Sequence, residues 1–77
     1  MSRKLPDLTA KEVVRALERA GFAKWRQKGS HLTMFRPNDR RALTVPMHFS
    51  KSVSTGTLYT IIRSSGMSVD EFRRLLK

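Results

Sequence analysis

Seventy-seven residues can build one apolar core and no second one, so residues 1–77 are read as a single domain. The chain has no cysteine, which excludes disulfides and thiolate metal sites, and no apolar run approaches the ~20 residues of a membrane span. Sixteen Lys and Arg against six Asp and Glu give a net charge of +10, a balance that favours a polyanionic partner because each phosphate contact releases condensed counterions.

The amino-terminal stretch Met1-Ser2-Arg3-Lys4-Leu5-Pro6 lacks the apolar segment of a secretory signal, and the chain is read as cytoplasmic. The first element is a helix from about Ala10 to Ala20. Thr9 and Glu12 have the spacing of a capping box, with Leu8 and Val13 as its hydrophobic staple. Val13, Val14, Leu17 and Ala20 recur at helical spacing and are expected to face the core, and Gly21 is the stop. Lys11, Arg15 and Arg19 fall four apart on one stripe, which reads first as a solvated face with Arg15 pairing locally to Glu18, and second as a track for a phosphate backbone.

Three strands follow: Phe22 to Gln27, Ser30 to Arg36, and Arg41 to Val45, the last ended by Pro46. Lys28-Gly29 and Pro37-Asn38-Asp39 supply the turns, and connections this short imply an antiparallel meander. Alternation in the second strand puts Leu32 and Met34 on one face and His31, Thr33 and Phe35 on the other. Leu43 and Val45 match the first pair, so that face is the core side and His31 is predicted to point outward. Phe35 is then expected to be half exposed or covered by a partner. Trp25 reads as a core residue, with stacking on a nucleobase as the alternative for it and for Phe35.

Phe49 to Thr57, rich in Ser and Thr, is predicted as a loop whose Ser54 or Thr55 caps a second helix from about Gly56 to Ser65. Leu58, Ile61, Ile62 and Ser65 form its inner stripe, Tyr59 is a partly buried edge residue, and Gly66 ends it. Ser68 and Glu71 make a second capping box, with Met67 and Phe72 as staple, opening a short terminal helix that carries Phe72, Leu75 and Leu76. The predicted fold class is α+β: an α-β-β-β-α order, a three-stranded antiparallel sheet with helices on one face, and an extra C-terminal helix.

That order, with a basic surface, is the one found in double-stranded-RNA-binding domains, which read A-form RNA by shape. Between Phe22 and Lys51 there are seven cations and one anion, Asp39. Because these charges sit on strands rather than on one amphipathic helix, RNA fits better than an anionic membrane, and no membrane partner is expected. No helix-turn-helix spacing points to DNA.

Within this basic stretch, His31 in Lys28-Gly29-Ser30-His31 is the residue best suited to chemistry. Imidazole titrates near neutrality, and RNA carries its own nucleophile, the 2′-hydroxyl, so a histidine set among cations can serve as general acid or base. Lys24, Arg26 and Lys28 are placed to supply the positive field. The plain alternative is a surface histidine hydrogen-bonded to a neighbour. His48 is open to the same two readings, as a second proton-transfer group or phosphate ligand, or as a loop cap. Two histidines without cysteine or clustered carboxylates make a poor metal site, so no metal or other cofactor is expected.

The blocks Gly21-Phe22, Arg26-Gln27-Lys28-Gly29-Ser30-His31, Thr44-Val45-Pro46-Met47-His48 and Gly56-Thr57-Leu58 occur in this order within a short chain. Together they resemble the HicA toxins of bacterial and archaeal toxin–antitoxin modules, from about Leu8 to the end of the second helix. The resemblance departs at Ser54-Thr55, where many such sequences have Lys-Pro, and at Met34, where an aromatic is common. It implies a metal-independent endoribonuclease, an mRNA interferase, on a double-stranded-RNA-binding-like fold. His31 would be the catalytic histidine, and from the reading of the basic stretch itself Arg26, Lys28, Ser30 and Lys24 are expected to contact the substrate. It also implies a HicB-like antitoxin that masks the His31 face. The reading without chemistry is a double-stranded-RNA-binding module.

Overall fold

The computed structural model describes residues 5–48 and 51–76. Met1 to Lys4 of the amino-terminal segment, and Phe49 and Ser50 of the predicted loop, lie outside the described residues. In chain order the elements are α1 (Ala10–Arg19), β1 (Ala23–Lys28), β2 (His31–Arg36), β3 (Arg41–Pro46), α2 (Thr55–Ser65) and α3 (Val69–Arg74). The strands form one antiparallel sheet in the order β1-β2-β3.

Local side chains start each helix. Thr9 Oγ1 accepts the Glu12 N–H at 3.3 Å while Glu12 Oε1 accepts the Thr9 N–H at 2.9 Å, so two otherwise unpaired donors are satisfied reciprocally. Ser68 and Glu71 repeat the device at α3, and the hydrogen bond from the Ser68 N–H holds the Glu71 carboxyl below its ordinary range. Ser54, rather than Thr55, caps α2 by accepting the Thr57 N–H. Each such cap contributes about 1 kcal/mol.

The inner face of the sheet is set by pairing. Leu32 lies opposite Val45 and Met34 opposite Leu43, and all are buried, as the alternation predicts. Val13 and Leu17 of α1, Ile61 and Ile62 of α2 and Phe72 of α3 complete the core with Phe22. Both long helices pack against β3. The edge strand β1, by contrast, has all its residues exposed.

Two expectations about β1 are corrected. The turn before β2 is Gly29-Ser30, not Lys28-Gly29, so Lys28 extends β1 and pairs with His31. A two-residue hairpin needs positive φ at its first central position, and Gly29, at φ +59°, meets that need without steric cost. Trp25 is not a core residue: it is 60% exposed. Alternation from buried Phe22 sends the Trp25 side chain to the outer face, away from the core, where its ring lies against Phe35, and a β-bulge between Lys24 and Arg26 leaves it without a pairing partner.

Two of the cations in the basic stretch are structural. Arg36 donates to Ala20 O at 3.0 Å and Ser65 O at 2.8 Å, the C-terminal ends of α1 and α2, and its guanidinium lies 4.5 Å from the Phe22 ring centroid. It also grips Asp39 through Nε at 3.0 Å and Nη2 at 2.7 Å. Arg41 reaches Asp39 at 3.1 Å and Ser64 O at 3.3 Å. Positive charge is favoured at helix C-termini, where carbonyls lack partners. Arg41 also packs against Gly66, where an added Cβ would stand 2.8 Å from the guanidinium and φ is already +80°.

This clasp gives the fold an acid limit. The hydrogen bond from Arg36 holds the Asp39 carboxyl down, from an ordinary 3.8 to about 2. A depressed carboxylate stabilises the fold above its unfolded value and loses that contribution as pH falls through the folded one. Asp39→Asn is therefore expected to lower the denaturation midpoint by a constant amount above about pH 5, with the gap to the parent closing between 3.8 and about 2. A gap of unchanged size at the acid end would show that the carboxylate charge is not its source.

Candidate active site

His31 is the first residue of β2 and is exposed. Directly opposed residues in an antiparallel pair share a face, with Cβ atoms about 5 Å apart. Lys28 opposes His31 from β1 and Pro46 from β3, so the imidazole stands in the middle of a three-strand row on the outer face. The backbone just before it is held on both sides: Ser30 O accepts the Met47 N–H at 2.6 Å, and Gly29 O accepts Gln27 Nε2 at 3.0 Å.

The bulge decides which cations join this face. Phe22 is buried, and strict alternation from it would send Lys24, Arg26 and Lys28 to the core side together. The extra residue at Trp25 shifts the parity. Arg26 then lies opposite Thr33, and Lys28 opposite His31, both on the outer face. Lys24, upstream of the bulge, lies opposite Met34, on the inner side and at the far end of the strand from His31. The structure thus brings Arg26, Lys28 and half-buried Ser30 around His31 and leaves Lys24 out.

The local field is positive and uncompensated by the sheet. No carboxylate stands on any strand, and Asp39, the one acid in this stretch, is engaged by Arg36 and Arg41 at the opposite end of the β2–β3 hairpin. Both cations stand on β1, on one side of His31, so a phosphate placed over the imidazole would meet Arg26 and Lys28 along a single edge, and fixed cations of this kind can offset negative charge.

His48 stands apart from this row. It is exposed beyond β3, and its carbonyl accepts the Lys51 N–H at 3.4 Å. It lines one hollow with Pro46, Lys51 and Thr57 and another with Thr9 and Lys11. On the α1 stripe, Arg19 donates to Leu75 O at 2.6 Å and so anchors the end of α3, which makes part of that stripe structural. The residue that sequence reasoning misplaced is Trp25. It sits on the outer face with Arg26 4.9 Å from its ring centroid.

Among the described residues, no group of three or more His, Cys, Asp or Glu is gathered where it could hold a metal ion, and no helix is long and apolar enough to cross a membrane.

Compared with known protein families, the chain matches the model of the HicA toxin of bacterial toxin-antitoxin over residues 10–67. The match takes in α1, all three strands, α2 and the turn after it, and stops short of α3. No curated protein matches the chain.

Proposed function

The chain belongs to the HicA toxin family of bacterial toxin-antitoxin systems, and on that premise we propose that it is an endoribonuclease that cleaves messenger RNA with His31 as general acid and base. Membership implies a cognate antitoxin. We take this to be a HicB-like protein that covers the His31 face, since a binder seated there would block the site outright. The observation that carries the reading is the outer-face row. An exposed histidine stands beside Arg26 and Lys28 on a sheet face without carboxylates.

The chemistry needs little beyond that row. The imidazole takes the proton of the 2′-hydroxyl, whose oxygen attacks the adjacent phosphorus. Arg26 and Lys28 offset the charge that builds on the phosphorane oxygens. The bond from phosphorus to the 5′-oxygen breaks, and that oxygen takes the proton from the His31 imidazolium, which returns to neutral imidazole. This leaves a 2′,3′-cyclic phosphate and a 5′-hydroxyl. The Ser30 hydroxyl, next to His31 on backbone that is held by the Met47 N–H, would orient a phosphate oxygen.

Incubating the purified chain with RNA in excess chelator tests the reading. Fragments are expected to accumulate, and cleavage is expected to weaken steeply with salt, because phosphate contacts release counterions. The rival, a double-stranded-RNA-binding module, shares the element order. It predicts salt-sensitive binding with the RNA left intact.

A further inference from the structure

We propose that Trp25, supported by Phe35 and Arg26, is a stacking platform for an unpaired nucleobase, so that the RNA held beside His31 is single-stranded; the proposal rests on the ribonuclease reading above. Trp25 is 60% exposed on the outer face of the sheet. An exposed tryptophan on an edge strand contributes little to folding, yet this one is held between two neighbours, the Phe35 ring and the Arg26 guanidinium. The Phe35 ring lies 5.8 Å away at a tilt of 49°, which buttresses the indole from β2. The Arg26 guanidinium is 4.9 Å from the indole centroid, so a cation suited to the phosphate of the same nucleotide already stands beside the ring.

Position ties this patch to the site. Trp25 lies three residues before Lys28, the residue opposite His31, a separation of about 10 Å along a strand. That distance is on the scale of a dinucleotide. An aromatic face combined with flanking cations is the recognition mode of unpaired strands, because every base offers a π-face. Paired bases in an A-form helix keep their faces inside the stack, and such helices are read through 2′-hydroxyls and phosphates instead. The absence of acids on the strands suits a nucleic acid better than a basic or neutral peptide.

Trp25 is the only tryptophan in the chain, so intrinsic fluorescence reports on the platform directly. The test titrates the His31→Ala protein, which binds without cleaving, with an oligouridylate and with a self-complementary RNA duplex. Saturable quenching is expected with the oligouridylate and not with the duplex. Trp25→Ala on the same background is expected to lose affinity for the oligouridylate by about tenfold to a hundredfold, measured by fluorescence anisotropy of a labelled strand, while Trp25→Phe retains most of it. A denaturation curve matching the parent's shows that the loss is not unfolding.

Unquenched fluorescence at saturation, or Trp25→Ala binding as tightly as its parent, overturns the proposal. So does a Trp25→Ala protein that keeps RNA affinity and loses only its antitoxin, which would make the patch a protein contact. If His31-intact protein still cleaves RNA under any of these outcomes, the ribonuclease reading stands without the platform. If it neither binds nor cleaves RNA, both fail.

Discussion

Replacing His31 with alanine is expected to slow RNA cleavage by about 10²–10⁴-fold, the range that a positioned acid–base group supplies, and to leave the fold intact. The expectation follows from where the residue sits. His31 is exposed, its strand partners are held through backbone, and Leu32 and Met34 beside it carry the buried contacts. Surface replacements of this kind change stability by about 0.5 kcal/mol or less. The variant should therefore melt with the parent, still bind its antitoxin, and no longer arrest growth when expressed alone. Arg26 and Lys28 remain in His31→Ala, so RNA affinity should persist while turnover falls. Cleavage at the parent rate would remove His31 from the chemistry.

The second large effect lies at the opposite end of the molecule. Phe72 is fully buried, although it belongs to the short α3, beyond the residues matched to the family. Its ring joins the core formed by α1, α2 and the sheet, and the helix that carries it is tied down by the Ser68–Glu71 box and by Arg19 on Leu75 O. Phe72→Ala is expected to cost about 3–5 kcal/mol, through lost burial and the cavity left behind. Against a total of roughly 4–12 kcal/mol for a chain of this length, that removes much of the margin. At about 4–8 °C per kcal/mol, the thermal midpoint should fall by at least about 12 °C. A loss of under about 1 kcal/mol would mean that α3 is an appendage whose core contact contributes little.

The parts of the fold that can be read from the chain are those governed by near neighbours. The Thr9–Glu12 and Ser68–Glu71 boxes need only three-residue spacing, and both form. The parity of Leu32, Met34, Leu43 and Val45 needs only alternation, and it sends His31 outward. The bulge at Trp25 is different, because it is defined by the register of a partner strand. A trace of it is nonetheless present. With Phe22 buried, an unbroken alternation would turn Lys24, Arg26 and Lys28 toward the core, a placement that burial of charge forbids. One extra residue resolves the conflict for Arg26 and Lys28, and uncovered β1 leaves Lys24 in solvent.

The cations show the same division. In the sequence Arg36 and Arg41 are two more positive charges beside Arg26 and Lys28. Only the packed structure shows that they serve the C-terminal carbonyls of α1 and α2 and the carboxylate of Asp39. Helix ends meet a distant side chain through tertiary contacts, which no local pattern encodes. The field at His31 is therefore made by fewer residues than the net charge suggests, and it is sharper for that, because the acid that would dilute it is already engaged elsewhere.

The proposed chemistry on the His31 face is tested most directly by the termini it leaves. Parent protein and His31→Ala are each incubated with one defined RNA in excess chelator, and the ends of the fragments are identified. The parent should yield 2′,3′-cyclic phosphate and 5′-hydroxyl ends, and the variant should yield almost none. Fragments bearing 5′-phosphates, cleavage that requires an added metal ion, or equal yields from the two proteins would contradict an attack by the 2′-hydroxyl assisted by His31.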